Sequence, residues 1–119
     1  MNKLSELQVW AKAIDLAKDI YLLTKMFPKE ETYGMSSQLQ RCSSSIPANI
    51  SEGAGRNSNK EFLYFLSVAN GSTYELETFL TLAFKVGYIE EKVKDELIQR
   101  SHHIIKMNVR LQDAIRRKL

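Results

Sequence analysis

The chain is poor in the residues that cross-link or interrupt a fold. Its 119 residues include one cysteine, two prolines and five glycines. The single Cys42 excludes an intrachain disulfide and a cysteine-rich zinc site. The first ten residues lack a signal-peptide core, and no apolar run approaches the ~18 residues that cross a membrane. These absences favour a cytoplasmic protein without membrane association, built from a few long elements.

The charge of the chain is mild in total but unevenly distributed. The formal net charge is +3, and a composition of 44% hydrophobic and 26% charged residues is typical of a globular protein. The segment 99–119 carries six Lys or Arg residues against the single acid Asp113, which leaves the remainder of the chain slightly acidic. A length of 119 residues predicts a single domain, residues 1–119.

Apolar residues that recur every three or four positions predict four helices. Their expected ranges are about 5–26, 33–53, 58–86 and 90–117. Short connections make successive helices antiparallel neighbours, so the predicted fold is all-α, an antiparallel up-down-up-down four-helix bundle. Helix 1 has a second apolar stripe, and helix 3 adds Val68, Phe79 and Leu82 beyond what one interior needs. Surplus apolar surface of this kind predicts a homo-oligomer.

Helix 2 is unusual because its apolar periodicity continues through a proline. Leu39 and Ile50 belong to one apolar stripe that spans Pro47. A proline inside a helix removes a backbone donor and costs about 3 kcal/mol. The hydroxyl groups of Ser43 and Ser44 are expected to help satisfy the freed carbonyls.

A polar stripe follows the opposite side of helix 2, formed by Arg41, Ser45, Asn49, Glu52 and Arg56. It is interpreted either as a groove for a ligand or RNA, or as a hydrogen-bonded structural network with a solvated face. Its mixture of charges suits mutual pairing better than catalysis. On helix 3, Glu75 lies in a partly apolar stripe, and a buried carboxylate needs a partner. Arg41 is the expected partner in a structural ion pair, which is favoured over an active-site acid.

Helix 4 concentrates basic residues along one side, at Arg100, His103, Lys106, Arg110 and Arg117, and Arg116 and Lys118 extend this set. This pattern predicts phosphate contact that is sensitive to salt. The competing interpretation is a solvated face whose late bases complement the helix dipole. A stacking platform of interleaved aromatic and basic residues is not visible, so base-specific recognition is not predicted.

Catalytic and metal-binding patterns are not evident. The adjacent His102 and His103 point about 100° apart on a helix and cannot chelate one ion from a single face. No histidine accompanies an evident serine or cysteine nucleophile, and no glycine-rich phosphate loop follows a strand. The sequence therefore predicts a non-enzymatic protein without a metal ion or cofactor.

Two long runs, FPKEETYGMSSQLQRCSSSIPANISEGAGRNSNKEF and GSTYELETFLTLAFKVGYI, resemble the bacterial 23S rRNA intervening sequence proteins, and so does the opening LQVWAKAIDLAKDIY. The resemblance covers roughly residues 7–89. The family signature falls here on Arg41, Pro47, Asn49, Glu52, Gly53 and Arg56.

The resemblance implies a left-handed antiparallel four-helix bundle that assembles into a ring-shaped homopentamer. Family genes often occur in insertions within large-subunit ribosomal RNA genes, and their function is mostly unassigned. A related branch serves as the accessory protein of diversity-generating retroelements and binds nucleic acid and a reverse transcriptase through a basic surface.

The sequence and the resemblance together predict a non-enzymatic oligomeric bundle that binds RNA or another nucleic acid through basic helix 4. The expected partners are other copies of the chain, ribosomal or other RNA, and a reverse transcriptase. The alternative is a protein-interaction scaffold whose basic face has no role in nucleic-acid binding.

Overall fold

The structure, a computed structural model, describes Leu4 and residues 7–119. This part of the chain contains four α-helices, one short 3-10 turn at Lys29–Glu31 and no strand. The helices are α1 (Gln8–Thr24), α2 (Met35–Ala54), α3 (Asn59–Lys85) and α4 (Glu91–Arg116). The prediction of an all-α chain with four helices is confirmed. The first two residues of the range expected for helix 1, 5 and 6, lie outside the described residues.

Local signals at the ends of α3 explain its limits. The hydroxyl oxygen of Ser58 accepts a hydrogen bond of 3.1 Å from the backbone N–H of Glu61 and so caps the first turn. At the other end, Gly87 adopts a φ of 88°, a left-handed conformation that favours glycine and ends a helix. The sequence pattern S-x-x-E and the glycine therefore define a helix of 27 residues.

Each helix packs on the next one along the chain, and α4 also contacts α1. The contact between α2 and α3 is the most extensive, and that between α1 and α4 is the least. Glu77 contacts His102, whereas the earlier Ser67 contacts the later Gln112, so α3 and α4 run in opposite directions. Large apolar side chains from all four helices are fully buried between them, including Leu16, Ile20, Leu39, Ile46, Ile50, Leu66, Leu76, Leu80 and Ile104.

Pro47 lies inside α2 and is buried. Its ring cannot donate to the carbonyl of Ser43, four residues earlier. The hydroxyl groups of Ser43 and Ser44 donate instead to the carbonyl of Gln40, at 3.1 and 2.8 Å. The expectation that these serines satisfy the carbonyl freed by Pro47 is therefore wrong, because their side chains reach back toward the preceding turn.

The C-terminal end of α2 approaches α3 closely at Gly53. A Cβ atom at this position would lie 2.9 Å from the Cβ of Phe65 and 2.9 Å from Cδ1 of Phe62. Carbon atoms in van der Waals contact are about 3.5–4.0 Å apart, so a larger residue would force the two helices to separate. Two turns earlier, the hydroxyl groups of Ser45 and Ser72 share a hydrogen bond of 2.9 Å between the same helices.

Glu31 joins the two connections at the opposite end of the bundle. Its Oε1 accepts from the backbone N–H of Met35 at 3.0 Å, and its Oε2 accepts from the hydroxyl of Tyr88 at 2.7 Å. The Tyr88 ring also packs on Phe27, with centroids 5.3 Å apart. The hydrogen bonds from Met35 and Tyr88 lower the pKa of Glu31, and the bond to Glu31 raises the pKa of Tyr88.

Apolar side chains also remain on the surface of α1 and α3. On α1, Ile14 is 42% exposed and Leu22 is 51% exposed, whereas Leu82 on α3 is 44% exposed and Val86, directly after α3, is 51% exposed. Gly71, on the exposed side of α3, would have nothing within 4 Å of an added Cβ. No helix in the described part of the chain combines the length and apolarity needed to cross a membrane.

Candidate functional site

Helix α4 separates a buried side from a basic, exposed side. Its buried residues recur at helical spacing and are Leu97, Ser101, Ile104, Asn108, Gln112 and Ile115. The C-terminal half of the opposite side carries most of the predicted basic residues, and these are exposed. Amphipathic burial against the other helices therefore fixes which side of α4 meets solvent.

Two of the seven predicted basic residues, Arg100 and Arg116, form ion pairs with carboxylates. The guanidinium of Arg100 donates to Oδ2 of Asp19 on α1 at 2.7 Å, and it is about two-thirds buried. Arg116 pairs with Asp113 one turn earlier at 3.0 Å, and both are exposed. Arg100 therefore acts as a link between α1 and α4, and its charge is largely neutralised.

The other five predicted residues, His103, Lys106, Arg110, Arg117 and Lys118, are exposed. None of them forms an ion pair with a residue that the structure describes. At about 100° per residue, the first four fall within an arc of about 60° on the helix. At 1.5 Å per residue they span about 21 Å along its axis. We call these five residues the basic face.

A groove lies between α1 and α4 beside the basic face. Lys12 and Asp15 line it from α1, and His103, Lys106 and Glu96 are among the residues that line it from α4. The groove therefore brings a lysine of another helix next to the predicted surface. The sequence gives no direct sign of this, because Lys12 and Lys106 are 94 positions apart.

The signature residues at the end of α2 form a structural network. The Arg56 guanidinium lies 3.1 Å from a carboxylate oxygen of Glu52 and 3.4 Å from one of Glu61, and it covers the ring of Phe65 at 5.0 Å. Asn49 donates to both the carbonyl and the hydroxyl of Ser45, at 2.8 and 2.9 Å. These contacts agree with the interpretation of mutual pairing within the polar stripe.

The expected ion pair between Arg41 and Glu75 is absent. Both residues are described and exposed, and they line one shallow groove between α2 and α3 without an ion pair between them. Glu75 is exposed on α3, so this carboxylate is solvated and needs no buried partner. The prediction of a buried carboxylate at Glu75 is wrong.

The less accessible carboxylate of α3 is Glu77. Its side chain is 17% exposed, and its Oε1 lies 2.8 Å from Nε2 of His102 on α4. That oxygen receives no aligned hydrogen bond from the described residues, so the contact is electrostatic and attractive when the imidazole is protonated. Glu77 lies one residue after the core residue Leu76 and four residues after the buried Thr73, but apolar residues on two sides of helix 3 leave the choice between Glu75 and Glu77 open in the sequence.

A buried polar ladder between α3 and α4 was not predicted. The amide of Asn108, which is fully buried, donates to the carbonyl of Leu66 at 3.2 Å and to Oδ1 of Asn70 at 2.8 Å. Asn70 donates to Gln112 at 3.2 Å, and Gln112 donates to Ser67 at 3.1 Å. The signal was present, because Asn108 and Gln112 continue the helical spacing of the apolar core residues of α4.

The described residues contain neither a cluster of metal ligands nor a reactive thiol. They contain no group of three His, Cys, Asp or Glu side chains placed to hold a metal ion. Burial, with a smaller effect of the Glu75 charge, raises the pKa of the Cys42 thiol to about 12. A thiol is nucleophilic only as the thiolate, so Cys42 acts as a small core residue.

Comparison with known proteins agrees with this description of the fold. A crystal structure of a protein of unknown function from the S23 ribosomal protein family of Bacteroides thetaiotaomicron superposes with a TM-score of 0.81. It is 28% identical to this chain and covers 87% of this chain and 97% of its own. No curated protein matches the sequence. Residues 5–110 match the family described as 23S rRNA-intervening sequence protein, and the chain belongs to this family.

Proposed function

We propose that this chain is a non-enzymatic protein that binds RNA or another nucleic acid electrostatically through the basic face of α4. The observation that carries the proposal is the set of four exposed Lys and Arg residues, Lys106, Arg110, Arg117 and Lys118, that no described carboxylate neutralises. The exposed His103 extends this face by one turn. Phosphate groups are the ligands that an array of solvated cations recognises without base contacts.

The distribution of acids supports a contact limited to the C-terminal half of α4. The first turns of α4 contain Glu91, Asp95 and Glu96, whereas Asp113 is the single acid after residue 98 and already pairs with Arg116. The first turns also contain Lys92 and Lys94, so their net charge is only slightly negative, and phosphates are attracted to the C-terminal half in preference to them. A polyanion bound in this way would contact about 21 Å of helix, the length from His103 to Arg117.

The dependence of affinity on salt tests the proposal. Fluorescence anisotropy with a labelled RNA would measure the dissociation constant between about 50 and 200 mM salt. If all four unpaired Lys and Arg residues contact phosphates, each protomer should lose about 50-fold in affinity for a single strand and about 150-fold for a duplex. Binding that is absent, or independent of salt, would contradict the proposal.

Matched variants locate the contact. Arg110→Gln and Arg117→Gln should each weaken binding for every RNA sequence and lower the salt slope by about 1. Lys92→Gln removes an exposed charge from the acidic end of the same helix and should leave affinity unchanged. An equal effect of Lys92→Gln would indicate a diffuse attraction to net charge in place of a defined face.

We also propose that the helices form a left-handed up-down-up-down bundle and that the chain assembles into a ring-shaped homopentamer. The support for assembly is the exposed apolar surface of α1 and α3, which includes Ile14 and Leu22 on α1, Leu82 on α3, and Val86 directly after α3. A ring would repeat the basic face around one axis and multiply its positive field. The mass in solution at micromolar concentration, measured by light scattering, tests the assembly, and a monomeric mass would exclude it.

The same apolar surface favours a second candidate function, a protein-interaction scaffold. In that case a partner protein such as a reverse transcriptase would cover α1 or α3, and the basic face would play no role. The salt titration separates the two candidates, because a scaffold of this kind predicts no binding of RNA in the absence of the partner.

A further inference from the structure

We propose that Lys12 of α1 is a further phosphate contact, so that the bound strand crosses the groove between α1 and α4 and does not follow α4 alone. This inference rests on the proposed function and specifies the path of the nucleic acid. It follows from the groove geometry, because Lys12 lines the same groove as His103 and Lys106 of the basic face.

Lys12 is free to take this role. It is exposed and forms no ion pair with a residue that the structure describes. The acid nearest to it on the groove side of α1, Asp15, lines the groove but does not pair with it. A lysine with a solvated ammonium group beside His103 and Lys106 can add a further phosphate contact to those of the basic face.

The ion pair between Arg100 and Asp19 sets one limit of the path. This pair joins the two helices at 2.7 Å and neutralises much of the charge of Arg100, which itself lines the groove. Because α1 contributes Lys12 seven residues before Asp19, the positive part of the groove lies on the side of this link toward the N-terminal end of α1. The carboxylate of Glu96, which also lines the groove, repels phosphate at the other end.

Asp15 allows a second test of the path, because removal of its negative charge should strengthen binding whereas removal of the Lys12 charge should weaken it. Its carboxylate lines the groove one turn after Lys12, so a strand that crosses the groove passes this negative charge. Replacement by an uncharged amide of the same shape removes repulsion without adding a cation. If the strand remains on the outer side of α4, substitutions at Lys12 and Asp15 should change the affinity only through the general effect of net charge.

The test uses the full chain and a labelled single-stranded RNA of about 20 nucleotides, with anisotropy measured at several salt concentrations. Lys12→Gln should weaken binding about 5-fold at about 100 mM salt and lower the salt slope by about 0.7, the effect of one lost phosphate contact on a single strand. Asp15→Asn should tighten binding. Lys25→Gln is the matched control, because Lys25 is an exposed lysine of the same helical segment about 140° away from Lys12.

The outcomes separate this inference from the function on which it rests. If Arg110→Gln weakens binding but Lys12→Gln and Lys25→Gln have the same small effect, the strand does not cross the groove and the inference is wrong. If Arg110→Gln has no effect either, the proposed function itself fails. Circular dichroism of each variant confirms that an exposed substitution has left the helical content unchanged.

Discussion

Gly53 shows how a single residue sets the distance between two helices. An added Cβ would meet Phe65 Cβ and Phe62 Cδ1 at 2.9 Å, and the Phe62 carbonyl oxygen at 3.2 Å. The two phenylalanines belong to the first turns of α3, which α2 reaches at its C-terminal end. The glycine of the family signature therefore has a packing role, independent of any bound ligand.

Gly53→Ala should destabilise the protein by about 1–3 kcal/mol, because α2 and α3 must separate to admit the methyl group. Chemical denaturation measures the loss of the free energy of unfolding. Gly55→Ala is the control, since a Cβ there would meet its nearest atom, the carbonyl oxygen of Ser51, at an ordinary 3.4 Å. Equal stability of the two variants would show that the close approach at Gly53 is relieved without cost.

The hydrogen bonds of Glu31 give the protein a dependence of stability on pH. A carboxyl group whose pKa is lowered in the folded state stabilises that state above its unfolded pKa, near 4.5, and this contribution is lost as the pH falls through the folded pKa. Tyr88 has a raised pKa, so its contribution is present below about 10 and lost at higher pH.

Glu31→Gln should therefore make the stability of the folded protein less sensitive to a fall in pH. The thermal midpoint of the wild-type protein should fall more steeply below pH ~4.5 than that of the variant, because the variant has no carboxyl group at this position to protonate. Tyr88→Phe should remove the loss of stability expected above pH ~10. Parallel pH profiles for the wild-type protein and Glu31→Gln would show that the carboxylate is not preferentially stabilised in the folded state.

Residue-level structure follows from the sequence where local rules decide it and does not where the rotation of a helix decides it. The cap at Ser58 was predictable because capping depends on four adjacent residues. The choice between Glu75 and Glu77 was not, because helix 3 has apolar residues on two sides. Only packing shows which side faces the core, and it places Glu75 in solvent and Glu77 against α4.

At the scale of elements, the polar ladder fixes how α3 and α4 lie against each other. Apolar surfaces tolerate sliding by a turn, whereas hydrogen-bonded amides are satisfied at one register only. The Asn108 amide uses both of its hydrogens on α3, one on the carbonyl of Leu66 and one on Oδ1 of Asn70. A one-turn shift would separate the buried Asn108 amide from both of these acceptors.

Asn108→Ala should destabilise the protein by about 2–4 kcal/mol, the combined cost of unsatisfied acceptors and a small cavity. A double-mutant cycle with Asn70→Ala should give a coupling of about 0.5–3 kcal/mol. Val109→Ala, at an exposed neighbouring position, should change stability by less than about 0.5 kcal/mol. Additive effects of the Asn70 and Asn108 changes would argue against the ladder as a cooperative unit.

The number and position of the helices were predictable because each carries an apolar stripe repeated over several turns. Expected and observed ranges for α3, 58–86 against Asn59–Lys85, differ by one residue at each end. The ladder escaped prediction because the buried side of each helix was identified from apolar residues alone, which leaves out Asn108 and Gln112. Their burial follows from a partner on another helix, and periodicity within one segment carries no information about that partner.

At the scale of the whole molecule, the exposed apolar surface predicts that stability depends on protein concentration. Association of folded chains stabilises them by mass action, so the thermal midpoint should rise with concentration. Leu82→Glu, which places a charge on the apolar side of α3, should abolish this rise and reduce the mass to the 13.7 kDa of one chain. Lys92→Glu, on the exposed side of α4, is the control, and an unchanged mass for Leu82→Glu would exclude α3 from the interface.

The link between Arg100 and Asp19 has a consequence for how the protein opens. It joins the pair of neighbouring helices with the least extensive contact. Local opening begins where helix contacts are least extensive. The backbone amide hydrogens of α1 residues that lie beside α4 should therefore exchange with solvent before those of α2 and α3. A bound polyanion that crossed this boundary would slow their exchange, and the protection pattern would record its position without any substitution in the chain.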